Sequence, residues 1–270
     1  VNRRTVLSKP QDTANILYTS GTTGLSKGVV MTHDMYLHAL RENDRVLPLS
    51  EKDVFLNMLP FTHVFERAWS YLGLAEGCRL AINLRPSDVL QSMIEVHPTC
   101  MCAVPRFWEK VYEGVNERIS HLAPLKQALF RKAMKVGKIY QIDYLGNGLT
   151  PPLWLKMKYR MLESTVIDLL KKNLGLERAN FFPTAGATIS KEVETFVHTC
   201  GINMITGYGL TESTATVSCD RIGEPFTVGS VGRILGGVEV KISSENEILV
   251  RGKTIMTEYY HKPKETHEAI

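Results

Sequence analysis

Five cysteines are too few and too scattered to form a disulfide framework. They stand at Cys78, Cys100, Cys102, Cys200 and Cys219, without a C-x-x-C pair. The odd count, with no secretory leader, favours reduced thiols and a cytoplasmic setting. No apolar run is long enough to cross a bilayer as a helix. Internal repeats and low-complexity stretches are lacking, and nothing resembles a nucleic-acid module. His33 and His38 are five residues apart, so they do not share the helix face a metal pair requires. No Ser-His-Asp arrangement calls for a covalent nucleophile. What remains is a chain of 270 residues, 44% apolar and 22% charged, with a net charge of +4. That composition suits a globular fold of one large domain or two small ones. Its mild basicity fits the handling of anionic small molecules.

One stretch stands out, Tyr18-Thr-Ser-Gly-Thr-Thr-Gly-Leu-Ser-Lys-Gly28. Short apolar strands flank it, Asn15–Tyr18 before and Val29–Met31 after. Gly21 and Gly24 let the backbone turn its N–H groups inward. Thr19, Ser20, Thr22 and Thr23 add uncharged donors, and Lys27 adds a mobile positive charge suited to a polyphosphate. The stretch is not the G-x-x-x-x-G-K-[ST] loop. Gly24 follows Gly21 too soon, Gly28 follows Lys27, and a β-branched strand comes next instead of a helix. A plain polar surface turn is the competing reading.

Downstream, strand and helix alternate. Thr32 or Asp34 can cap a helix running to about Arg45. A strand over 54–59 ends in Pro60-Phe-Thr-His63-Val-Phe-Glu-Arg67, and a histidine there lies where open α/β sheets place ligands. Glu66 and Arg67 read equally well as a local ion pair of little weight. Helix 64–75, strand 78–84, a helix capped by Ser87 and running to Val96, and strand 99–104 follow. Pro105 then opens another helix at its favoured first position. Strand 179–184 leads into Ala185-Gly186-Ala187, where small residues admit a flat ring. Ser190 caps a helix over 191–199, and strand 202–206 leads into Gly207-Tyr208-Gly209-Leu210-Thr211-Glu212. Tyr208 can lie against a purine, Thr211 can donate to phosphate, and Glu212 is a hard oxygen ligand for Mg²⁺. Taken alone, this stretch also reads as a glycine-punctuated turn.

Tyr18–Gly28 closely resembles the signature of the AMP-forming adenylate-forming ligases, which include acyl-CoA synthetases, peptide-synthetase adenylation domains and luciferases. The family usually has proline at the position of Ser26. Tyr208-Gly-x-Thr211-Glu212 resembles its second signature, and Pro60 with His63 its P-x-x-H pattern. His63-Val-Phe-Glu-Arg67 resembles the long-chain fatty acyl-CoA synthetase branch. The resemblance implies a phosphate grip from Thr19, Ser20, Gly21, Thr22, Thr23, Gly24 and Lys27. It implies an adenine pocket lined by Gly186 and Ala187, with Tyr208 stacked on the base after Gly207. Thr211 would contact phosphate, Glu212 would hold Mg²⁺, and His63 and Gly209 would border the acyl site. The implied substrates are a fatty acid, ATP as MgATP, and CoA, with acyl-adenylate formed first and the CoA thioester second.

The expected fold is α/β, with a multilayered, mostly parallel sheet and crossover helices over 1–222 and a small β-rich subdomain over 223–270. A helical region over 122–175 interrupts it. Between Lys126 and Glu163 it carries eight Lys/Arg against Asp143 and Glu163, with Trp154, Met157, Tyr159 and Met161 interleaved. Two readings of it are open, a solvated basic helical pair or a surface that meets anionic lipid at the inner face of a membrane. The start at Val1 and the end at Ile270, inside the opening of a helix, suggest a piece of a longer enzyme. By resemblance the family's opening segment, ribose-binding aspartate and mobile C-terminal domain with its lysine are missing, so the piece alone is expected to be nearly inactive. Rival readings are adenylation of an aryl or amino acid, and a non-catalytic nucleotide-binding module.

Overall fold

The computed structural model describes residues 7–19 and 26–270. Ser20, Gly21, Thr22, Thr23 and Gly24 of the first glycine-rich stretch lie outside the described residues. Strands β1 (Thr13–Thr19) and β2 (Lys27–Thr32) on either side of them pair antiparallel, with Thr19 opposite Lys27. Helix α1 (His33–Asp44) follows at once. Its cap is Thr32, whose hydroxyl accepts from the Met35 amide at 3.3 Å.

The strand–helix alternation gives a parallel sheet. Strand β3 (Val54–Asn57) pairs in parallel with β4 (Arg79–Ile82), and α2 (Val64–Ala75) crosses between them. Helix α3 (Val89–Val96) returns the chain to the other side of β3, where Phe55 bridges Cys100. Ser87 does not cap α3. It lies in a single 3₁₀ turn over Pro86–Asp88, and α3 begins after Asp88 without a side-chain cap. The expected strand 99–104 is present only as isolated parallel bridges, Cys100 to Phe181 and Ala103 to Thr184. Pro183 lies between those partners and brings no N–H to the ladder, so the ladder cannot run on.

Helix α4 (Pro105–Ser120) opens the helical region, and α5 (Pro124–Lys138), α6 (Leu153–Leu162) and α7 (Asp168–Asn173) complete it. Wider π turns over Ile139–Tyr144 and Glu163–Ile167 join these helices. The chain then returns to β5 (Phe182–Thr184), crosses through α8 (Lys191–Thr199) and forms β6 (Met204–Tyr208) parallel to β5. As expected, the Ser190 hydroxyl caps α8 by accepting from the Val193 amide at 3.2 Å. The short strands β7 (Ser218–Cys219) and β8 (Arg233–Ile234) extend this sheet antiparallel. A separate hairpin of β9 (Val238–Ile242) and β10 (Ile248–Gly252) follows, and α9 (Pro263–Ala269) ends the chain.

Both faces of the parallel sheet are covered, which explains why its strands read as continuous apolar runs. Leu56, Met101, Phe182 and Met204 face Trp108 of α4 and the helical region. Their neighbours Phe55, Cys100, Phe181 and Ile205 face Trp69 and Leu72 of α2. Phe55 stacks on Trp69 with ring centroids 4.3 Å apart. Gly73 leaves room for that ring, since a Cβ there would come within 2.8 Å of it. Phe55→Ala is expected to cost about 3–5 kcal/mol through the cavity it leaves, read as a lowered urea midpoint. An unchanged midpoint would show that this stack does not hold α2 to the sheet.

Candidate active site

A cavity of about 820 Å³ opens where β2, the end of β3 and the end of β6 converge. Thr19 and Lys27 line it from the β1–β2 hairpin, and Gly207, Tyr208, Gly209, Thr211 and Glu212 from the end of β6. His63 and Gly186 also reach it. Ala187, exposed beside Gly186, is not among the lining residues. Two stretches far apart in sequence therefore face one space.

Tyr259, which sequence reasoning did not single out, joins them. Its hydroxyl donates to Oε1 of Glu212 at 2.8 Å, and Nζ of Lys27 sits 5.0 Å from its ring centroid. Burial, and then the Glu212 carboxylate, raise the Tyr259 phenol above its ordinary range, so it stays protonated and donates. Backbone bonds hold the surrounding segment on both sides. Tyr260 N–H donates to the Gly28 carbonyl at 2.7 Å, and Val30 N–H to the Glu258 carbonyl at 3.1 Å. Met256 N–H donates to the Glu212 carbonyl at 2.7 Å, and the Thr214 hydroxyl to the Thr254 carbonyl at 2.7 Å. Nothing local in Glu258-Tyr-Tyr-His261 marks this role, because it arises from pairing with β2.

Gly209 is a steric necessity. A Cβ there would lie 1.3 Å from the carbonyl oxygen of Ala215, where the loop folds back on itself. Leu210 N–H donates to the Ser213 hydroxyl at 2.9 Å, which closes the turn carrying Thr211 and Glu212. Upstream, β6 is anchored by two buried carboxylates. Thr206 N–H donates to Asp220 at 3.2 Å, and Glu194 accepts from the Gly229 N–H at 2.8 Å and the Thr206 hydroxyl at 3.4 Å. Burial, with Glu194 adding repulsion, pushes the Asp220 carboxyl up to about 7.

The Glu66–Arg67 ion pair is not formed. Glu66 is fully buried, and Arg67 instead donates to the Phe61 carbonyl at 2.8 Å. The Glu66 carboxylate accepts from Leu59 N–H at 2.9 Å, Asn57 Nδ2 at 2.6 Å and the Cys102 thiol at 3.2 Å. Burial raises its pKa while these donors pull it down. It ties the end of β3 to the first turn of α2, which sets the loop 60–63. His63 occupies the cap position of α2 but makes no side-chain capping bond, and it lines the cavity.

Most of the remaining lining is apolar, with Asn43, Thr184 and Thr216 as polar exceptions. Helix α1 contributes Ala39 and Leu40, and α2 contributes Val64, Ala68, Trp69 and Leu72. Cys219 also lines the cavity, but burial pushes its thiol up to about 11, so it is not a nucleophile near neutral pH. Among the described residues no group of three His, Cys, Asp or Glu could hold a metal alone. A single carboxylate beside a threonine hydroxyl suits Mg²⁺, which keeps most of its shell as water and phosphate oxygens.

Residues 2–260 match the AMP-binding enzyme family. The chain is 31% identical over 281 residues to Long chain acyl-CoA synthetase 7, peroxisomal, of Arabidopsis thaliana, covering 97% of this chain and 38% of that protein. It is 32% identical over 270 residues to Putative fatty-acid–CoA ligase fadD11 of Mycobacterium tuberculosis, covering 97% of this chain and 46% of that protein. The o-succinylbenzoate CoA synthetase of Bacillus subtilis, solved with its acyl-adenylate intermediate, shares the fold. Its TM-score is 0.67 at 18% identity, over 97% of this chain and 45% of that one. The chain spans less than half the length of these proteins.

The Asp220 carboxyl gives a pH signature. Its folded pKa is raised, so native protein keeps a proton that unfolded chain has lost, and stability falls as pH rises from about 4 to about 7. Asp220→Asn is expected to lack that fall, gaining on wild type as pH rises through this window. Urea unfolding at several pH values checks it, and parallel curves would mean that Asp220 titrates normally.

Proposed function

The chain belongs to the AMP-binding enzyme family, and from that premise we propose that the protein is a fatty acid–CoA ligase. In the proposed reaction the acid's carboxylate attacks the α-phosphate of MgATP, pyrophosphate leaves, and an acyl-adenylate forms. The CoA thiol then attacks the acyl carbonyl and AMP leaves. The chain is one part of the protein that would do this. The carrying observation is a single cavity lined by Lys27, Thr211 and Glu212 and, from α1 and α2, by apolar side chains.

The first step joins two anions, so screening of charge and alignment supply most of the catalysis. In this reading Lys27 and Thr19 face the phosphates, and the loop 20–24 adds its backbone and hydroxyl donors. Tyr208 and Gly186 accept the adenine. Thr211 donates to a phosphate oxygen, and Glu212, oriented by the Tyr259 hydroxyl, would hold Mg²⁺. That ion neutralises phosphate charge when bound. His63, which lines the cavity, would meet the carboxylate head of the acid.

The apolar contribution of Ala39, Leu40, Ala68 and Leu72 favours an alkyl chain. The relatives named for long-chain and fatty acids point the same way. Adenylation of an aryl acid is the competitor, because a structural neighbour is titled as an o-succinylbenzoate ligase.

ATP–pyrophosphate exchange on the full-length protein, with fatty acids of graded length and an aryl acid, tests this reading. Long fatty acids are expected to support the fastest exchange, and a clear preference for the aryl acid would replace the proposal. Lys27→Ala and Glu212→Gln are each expected to lower exchange by about tenfold to a hundredfold. Wild-type rates in both would remove these residues from the site. Ala68→Trp fills the apolar lining, so it is expected to depress exchange with long acids far more than with short ones. Equal loss at every length would place the alkyl chain elsewhere.

A further inference from the structure

Helix α6 buries one face and leaves a second apolar face bare. Leu155, Tyr159 and Leu162 pack into the core. On the opposite side Leu153, Trp154, Met157 and Met161 are 72%, 63%, 65% and 56% exposed. At 3.6 residues per turn these four fall within an arc of about 100°. Lys158 flanks that arc on one side, and Lys156 and Arg160 flank it on the other. All three are exposed, and none makes an ion pair among the described residues. The helix carries no carboxylate. Leu149, in the turn leading into it, adds 55% exposure.

We propose that this face of α6 is a docking surface for an anionic lipid bilayer, lying flat at the headgroup level. Charge and shape together select that occupant. The face belongs to a single helix, with an apolar stripe between two basic margins. That order of groups matches the order met on entering a bilayer surface sideways, anionic headgroups around an acyl boundary. Lysine and arginine stems can run along the stripe while their charges reach lipid phosphates. The indole of Trp154 is the group expected at such a boundary. A protein groove would have to offer acidic residues on both margins of an apolar floor, a more demanding match than a membrane already supplies. No helix among the described residues is long and apolar enough to cross a membrane. The inference does not depend on the proposed reaction, because it concerns a surface whose residues are absent from the cavity lining.

The test uses the full-length protein and vesicles of phosphatidylcholine with or without about 30% phosphatidylglycerol. Co-sedimentation is expected with the anionic vesicles at low salt, with a loss of about tenfold or more at about 0.5 M salt. The triple charge reversal K156E/K158E/R160E is expected to abolish it, and Met157→Glu to weaken it at unchanged net surface folding, checked by circular dichroism. Trp69 and Trp108 are buried at 4% and 0%, and the difference in emission between wild type and Trp154→Phe isolates the signal of Trp154. Brominated lipid is expected to quench wild-type emission, and Trp154→Phe to remove that quenching. The quenching arm needs no destabilising variant. Equal binding to neutral vesicles, unaltered binding by Met157→Glu, or no quenching would each overturn the proposal. So would self-association that Met157→Glu abolishes without any vesicle binding, which would identify a second copy as the occupant.

Discussion

Two stretches far apart in the chain line one cavity, and among the described residues no backbone hydrogen bond joins them directly. The segment 254–260 holds them in place. On one side it adds to β2, through Tyr260 to Gly28 and Val30 to Glu258; on the other it is bound by Glu212 and Thr214. The Tyr259 phenol completes the span with its bond to Glu212, beneath the Lys27 ammonium. A hydrogen bond to a charged partner contributes roughly 1.5–3 kcal/mol, and this one also sets where the carboxylate points. Held by the phenol, the Glu212 carboxylate lines the same cavity as Lys27.

Buried carboxylates recur at the points where strands give way to site loops. Glu66 lies where β3 turns into α2, and Glu194 and Asp220 lie beside β6. Burying a carboxylate costs several kcal/mol unless donors replace its water. Here backbone N–H groups of Leu59, Gly229 and Thr206 do so. Such an arrangement is a weak source of stability and a strong source of orientation, since each carboxylate is satisfied in only one loop geometry. His63, Tyr208 and Glu212 thereby inherit their positions from the rigid sheet.

The sheet itself is covered on both faces, and the two coverings differ. Helices α1 and α2 on one side leave room for the apolar part of the cavity. The helical region on the other side packs tightly, with Trp108, Phe130, Ala133 and Leu155 fully or nearly buried. Its outer surface, among the described residues, carries the second apolar face of α6.

Local chemistry in the sequence was enough for the strand–helix order, the hydroxyl caps at Thr32 and Ser190, the two glycine-punctuated stretches and the family. Those features depend on neighbours a few residues away: propensity, capping and turn geometry act at that range. The cap assigned to Ser87 failed at that same range, since a 3₁₀ turn took its place. The strand at 99–104 was half legible, because Pro183 in its partner removes a donor that its own residues do not reveal. Glu66 as a buried anchor, Tyr259 as the bridge and the apolar lining from α1 were decided only in three dimensions. Each depends on a partner far along the chain, and a side chain's charge, burial and reach carry no record of which distant group will meet it.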